Sequence, residues 1–200
     1  MVDRRIVNSQ GDIMIPDSPS AHMLFGTTRV AWLFLIIRLY VGYSWFEAGW
    51  EKLSGGTWVS GQGLQGFWAK AVAPPSSPIA EGWYRVFIQF MLNHGWYTWF
   101  ASLVMVGELL VGVALILGIL TGFAAAFGAF MNWNYIMAGA ASTNAWLGLL
   151  ALLLILGWKV AGWYGVDRWL LPRLGTPWYR GAPAQGLPRA PAAAGPSPSV

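Results

Sequence analysis

RLYVGYSWFEAGWEKL, residues 38–53, carries an arginine, two glutamates and a lysine among aromatic and small apolar residues. It lies inside an apolar run that opens at Val30 and reads to about Ala48 as a helix able to cross a bilayer, for which about 20 residues are needed. A charge inside such a helix costs roughly 2.5–3.5 kcal/mol on insertion scales, so each one marks a candidate functional position. Helical spacing sorts these residues onto two faces. Arg38, Gly42, Trp45, Gly49 and Lys52 share one, and Tyr40, Tyr43, Ser44, Glu47 and Glu51 share the other. Arg38 and Glu47 therefore cannot pair within the helix. The glycines beside Arg38 let a second helix approach closely.

The rest of the chain fits a membrane protein. Of its 200 residues, 56% are hydrophobic and only 10% charged, where a soluble domain carries about 25%. The net charge of +4 forms no basic stripe interleaved with aromatics, which argues against nucleic acid as a partner. The absence of cysteine removes disulfides, thiolate-held metals and thiol chemistry. Two histidines far apart, His22 and His94, offer no metal or haem site. Fourteen tryptophans, many at segment ends, suit the membrane–water boundary.

Apolar runs and breakers divide the chain into a polar segment 1–29, a membrane domain 30–165 and a basic tail 166–200 that becomes rich in Pro, Ala and Gly from Gly181. The expected fold is an all-α integral membrane protein, a bundle of four transmembrane helices at about 30–48, 96–117, 121–139 and 146–163. Between the first two, the loop 53–95 is broken by Gly55-Gly56, Gly61, Gly63 and Pro74-Pro75. It retains two amphipathic pieces, Gly63–Val72 and Ile79–Leu92, that suit an interfacial position outside the cytoplasm. Four spans place both termini on one side. That side carries eight basic residues (Arg4, Arg5, Arg29, Lys159, Arg168, Arg173, Arg180 and Arg189) against three on the loop side, so both termini are expected in the cytoplasm.

At 1.5 Å per residue, Arg38, Glu108 and Asn132 reach depths of about 12–16 Å from the cytoplasmic face on three different helices. An unpaired buried charge is costly, so an Arg38–Glu108 ion pair is expected, with Asn132 able to bridge it as both donor and acceptor. Such a cluster serves equally as a structural pair that sets helix register or as a pocket for a quinone headgroup. In the second case Arg38 and Asn132 donate hydrogen bonds and Glu108 supplies protons. A second polar set of Glu47, Glu51, Lys52, His94, Asn134 and Asn144 gathers toward the other face. Within it, Glu47 and Asn134 are candidate headgroup contacts.

Three blocks resemble the DoxX family. They are Arg38-Leu39 with Gly42 and Gly49-x-x-Lys52-Leu53, then Gly107-Glu108-Leu109-Leu110-x-Gly112 through Leu117-Gly118-x-Leu120-Thr121, then Asn132-x-Asn134-x-x-Met137-Ala138-Gly139 with Ser142 and Asn144. The third block resembles more narrowly the DoxD-like membrane subunit of thiosulfate:quinone oxidoreductase. The resemblance spans roughly residues 29–165. It implies a four-helix membrane domain in the plasma membrane of a prokaryote, a partner subunit, and electron transfer from thiosulfate to quinone with tetrathionate as product. The competing expectation is a non-catalytic subunit that anchors a larger complex. Gly42, Gly49 and Gly128 leave two options open, a slot for quinone between the first and third helices or close packing with no slot.

Overall fold

A computed structural model describes residues 6–7, 13–14, 17–75 and 77–174. Near the N-terminus, β1 (Ile6–Val7) and β2 (Ile13–Met14) pair antiparallel, and every other regular element among the described residues is helical. In chain order these are α1 (Pro19–Gly26), α2 (Ala31–Ser54), α3 (Gln62–Val72), α4 (Gly82–Asn93), α5 (Tyr97–Leu117), α6 (Thr121–Met137), α7 (Ser142–Leu156), α8 (Trp158–Ala161) and α9 (Asp167–Arg173).

The elements begin and end where local chemistry requires. The Ser18 hydroxyl accepts from Ala21 N at 3.2 Å and Pro19 opens α1, so the polar N-terminal segment contains a capped helix. No proline interrupts α2, which runs 24 residues to Gly55 and is longer than the span expected from hydropathy alone. The expected helix over 146–163 is instead two, because α7 stops at Gly157. There the Phe34 ring of α2 fills the space a side chain would take. Residues 166–174 do not belong to a tail either: α9 folds back on the bundle with Asp167 and Leu171 buried. The stretch from Gly181 onward lies outside the described residues.

α2 packs along α5, α5 meets α6, α6 packs along α7, and α7 returns to α2. The α2–α5 seam is the tightest. A Cβ on Gly112 would stand 2.5 Å from Phe46 N, and one on Gly49 would stand 2.8 Å from the Leu109 side chain. Gly42 faces Leu115 and Ile116 in the same way. These glycines bring the two backbones together and fix their axial register. Gly128 is covered by the Trp45 indole of α2.

Two apolar clusters result. Phe34, Val41, Trp45, Leu115, Ala125 and Leu154 centre the first, inside the long helices. Leu64, Trp68, Ile79, Ile88 and Met91 centre the second, where α3 and α4 pack on one another and α3 lies on α5. The long helices are also apolar on their outer faces. Leu110 (64% exposed), Phe123 (67%) and Phe127 (65%) face outward, an arrangement that suits lipid. Among the described residues two helices are long and apolar enough to cross a membrane, Thr28–Ser54 and Tyr97–Leu117.

Candidate functional site

Glu108 stands near the middle of α5 and is 1% exposed. An isolated carboxylate there would be costly. Its partner is Lys52, from the last turn of α2, whose Nζ lies 2.9 Å from Oε1 and 2.8 Å from Oε2. The Tyr135 hydroxyl of α6 donates to Oε1 at 2.7 Å. Lys52 stays 17% exposed and its ammonium stands 4.9 Å from the Trp58 ring centre in the turn after α2, a cation–π distance. Three helices thus bring a lysine and a tyrosine together on one glutamate, which is the most deeply buried of the three.

The expected Arg38–Glu108 pair does not form. Arg38 lies about four turns before Lys52, some 21 Å along the same helix. The glycine seam sets Gly42 against Ile116 and Gly49 against Leu109, so Arg38 falls level with the α5–α6 turn. Estimating depth from where each apolar run starts misjudges this register, because α2 runs past its apolar stretch to Ser54. Arg38 is 1% exposed and wedges between Gly118 and Gly165. Its Nη2 donates to Tyr164 O at 3.2 Å, and Asp167 acts on it as counter-charge. Gly118 adopts φ 69°, a left-handed cap that ends α5 and leaves no Cβ in the guanidinium's way.

Asp167 was not among the residues singled out from sequence. Its Oδ1 accepts from Leu120 N at 2.6 Å and its Oδ2 from Thr121 N at 2.8 Å, so it caps the start of α6 from 46 residues away. No spacing rule reveals a cap delivered from another helix. Tyr135 and Tyr84 were missed because a tyrosine in an aromatic-rich chain reads as packing. The one available signal was that Tyr135 shares a block with Asn132 and Asn134.

The remaining candidates separate. Asn132 is 1% exposed, one turn from Tyr135, and its amide atoms have no hydrogen-bond partner among the described residues. It lies against Gly148 of α7 and does not bridge Arg38 to Glu108. Glu47 is exposed on α2 and accepts from the Tyr43 hydroxyl at 3.4 Å, away from the Lys52 face. Asn134 receives the Tyr84 hydroxyl on its carbonyl at 3.1 Å and on its side-chain oxygen at 3.2 Å. Burial raises the Tyr84 pKa above the ordinary tyrosine value and keeps it a donor. His94 is exposed and its Nδ1 lies 2.8 Å from Phe90 O. Among the described residues no group of three or more acids or histidines gathers as metal ligands.

An open groove of about 660 Å³ runs along α5 and α6 beneath α3 and α4, on the face where Leu110, Phe123 and Phe127 point outward. Its walls are almost wholly apolar, including Leu103, Leu110, Phe123 and Phe127, and run from Leu120 at one end of α6 to Ala138 at the other. The polar residues lining it, Tyr84, Asn134 and Tyr135, gather toward the α3–α4 end. Residues 33–141, more than half of the chain, match the DoxX family model.

The chain belongs to the DoxX family. Its membership makes it a membrane protein, in keeping with the two long apolar helices. No curated protein and no solved structure matches the chain. The DoxX match runs from the first turn of α2 through the end of the α6–α7 turn and thus includes Lys52, Glu108 and Tyr135, while Asp167 lies beyond it.

Proposed function

We propose that this DoxX protein is the membrane subunit of a quinone-linked oxidoreductase, of the thiosulfate:quinone type that its third motif block resembles. The observation that carries the reading is the α5–α6 groove, an apolar slot of ligand size with hydrogen-bonding residues toward one end. The residues fit a quinone. Leu103, Leu110, Phe123 and Phe127 would hold an isoprenoid chain, and Tyr84, Asn134 and Tyr135 would meet the headgroup. A quinone supplies an acceptor for two electrons and two protons. Glu108 keeps its assigned part as proton source and reaches the groove through Tyr135. Arg38 acts as a structural cation at the α5–α6 turn. Asn132 orients within the core beside Tyr135, and Glu47 stands apart.

In this reading all four of α2, α5, α6 and α7 cross the plasma membrane of a prokaryote, since each presents apolar side chains outward. The termini lie in the cytoplasm, α3 and α4 lie at the opposite interface, and a partner subunit handles the sulfur donor. One observation favours the alternative, a non-catalytic anchoring subunit: Glu108 is already paired with both Lys52 and Tyr135.

Gentle purification from native membranes, with extraction of bound quinone and assay of thiosulfate-dependent quinone reduction, separates the two readings. The oxidoreductase reading expects bound quinone and an activity reduced at least tenfold in assembled Glu108→Gln protein. Absence of both quinone and activity from the intact complex replaces it with the anchoring reading.

A further inference from the structure

We infer that Lys52, Glu108 and Tyr135 form a proton relay linking water at the turn after α2 to the α5–α6 groove. This rests on the quinone reading and specifies how protons reach that site. The order of the groups carries it. Lys52 remains part-exposed beside Trp58, its ammonium 2.8 Å from the carboxylate of Glu108. Glu108 is sealed from solvent and touches the Tyr135 hydroxyl at 2.7 Å. Tyr135 in turn lines the groove. Every link is at hydrogen-bond distance, and each of the three side chains can gain and lose a proton. A purely structural ion pair accounts for the tyrosine on the carboxylate, which satisfies a buried lone pair, but does not require that tyrosine to line a groove.

The step balances as follows. When bound, a quinone would supply the acceptor for two electrons from a reduced sulfur donor, and this chain's residues would supply its protons. The Tyr135 O–H bond breaks as an O–H bond forms on a headgroup oxygen. A proton leaving Lys52 Nζ passes through the Glu108 carboxyl to the phenolate, and Lys52 takes a proton from water. A second passage along the same path completes the two-proton uptake. Tyr135 is then the catalytic residue, and Lys52 and Glu108 act through it.

The test uses the full chain in lipid nanodiscs with a short-chain ubiquinone reduced by an electrode, so that no partner is needed. A photoreactive ubiquinone maps binding, and infrared difference spectra report the Glu108 carboxyl, assigned by its loss in Glu108→Gln. The relay predicts photolabel on α5 and α6 and a change in the Glu108 signal on reduction. That signal is lost in Tyr135→Phe, which keeps the photolabel. Lys52→Arg is the decisive variant, because arginine preserves the ion pair but does not release its proton. It should fold and bind as the parent does, yet restore the Glu108 signal at least tenfold more slowly. If Lys52→Arg matches the parent, or if reduction leaves Glu108 unchanged while the photolabel still maps to the groove, the relay is wrong and the quinone site stands. If no photolabel reaches α5 or α6, the quinone reading fails and the relay with it.

Discussion

The Lys52 ammonium and the Glu108 carboxylate, 56 positions apart in the chain, meet at 2.8 Å inside the protein. Arg38, on the same helix face as Lys52, is held at the far end of α2 by Tyr164 O and by the charge of Asp167. Two cations on one helix are thus held apart, Lys52 in an ion pair with Glu108 and Arg38 by a backbone carbonyl with Asp167 in its vicinity.

Removal of Lys52 alone should be costly, since Glu108 would remain buried and charged. Lys52→Met is expected to lose about 3 kcal/mol in stability. The double variant Lys52→Met with Glu108→Gln should recover much of that. Thermal unfolding in detergent, run as a double-mutant cycle, checks the coupling, and additive losses would show that the pair contributes nothing.

The glycine seam makes a sharp contrast. Gly112→Ala places a methyl 2.5 Å from the Phe46 backbone, which cannot yield without moving α2, and should cost about 1–3 kcal/mol. Gly148→Ala meets only Asn132 Cβ, at 3.7 Å, and should be tolerated with less than about 1 kcal/mol of change. The same unfolding assay compares the two, and equal stability would mean that α2 and α5 are not in close contact.

Asp167 caps α6 and also acts on the Arg38 charge from beyond ion-pair distance. Asp167→Ala should therefore cost about 2–3 kcal/mol, more than the roughly 1 kcal/mol typical of a helix cap alone. In an Arg38→Met background the loss on removing Asp167 should shrink toward the cap value. An unchanged loss there would indicate that the two side chains do not interact.

Topology is testable without background, because the chain contains no cysteine. In spheroplasts, Ser60→Cys and Ser142→Cys should react with an impermeant maleimide from outside, while Ser20→Cys should react only after lysis. Labelling of Ser20→Cys from outside, or protection of Ser142→Cys, would overturn four crossings with cytoplasmic termini.

Much of this protein was readable from the chain alone because the deciding signals are local. Apolar runs and glycine or proline breakers located α2, α5 and α6, amphipathic spacing located α3 and α4, and three motif blocks indicated the family. Glu108 was identifiable as a special position simply because it is a charge inside an apolar run. Its partner was not. The match of Glu108 to Lys52 rather than Arg38 depends on the axial register of α2 against α5, which Gly42, Gly49 and Gly112 set by how closely two backbones interlock. Asp167 reached Thr121 only because α9 folds back, and the groove is lined by residues that α3, α4, α5 and α6 bring together. Helical periodicity specifies which residues share a face, whereas pairing across helices depends on how far each helix slides along its neighbour, and that is settled by packing in three dimensions.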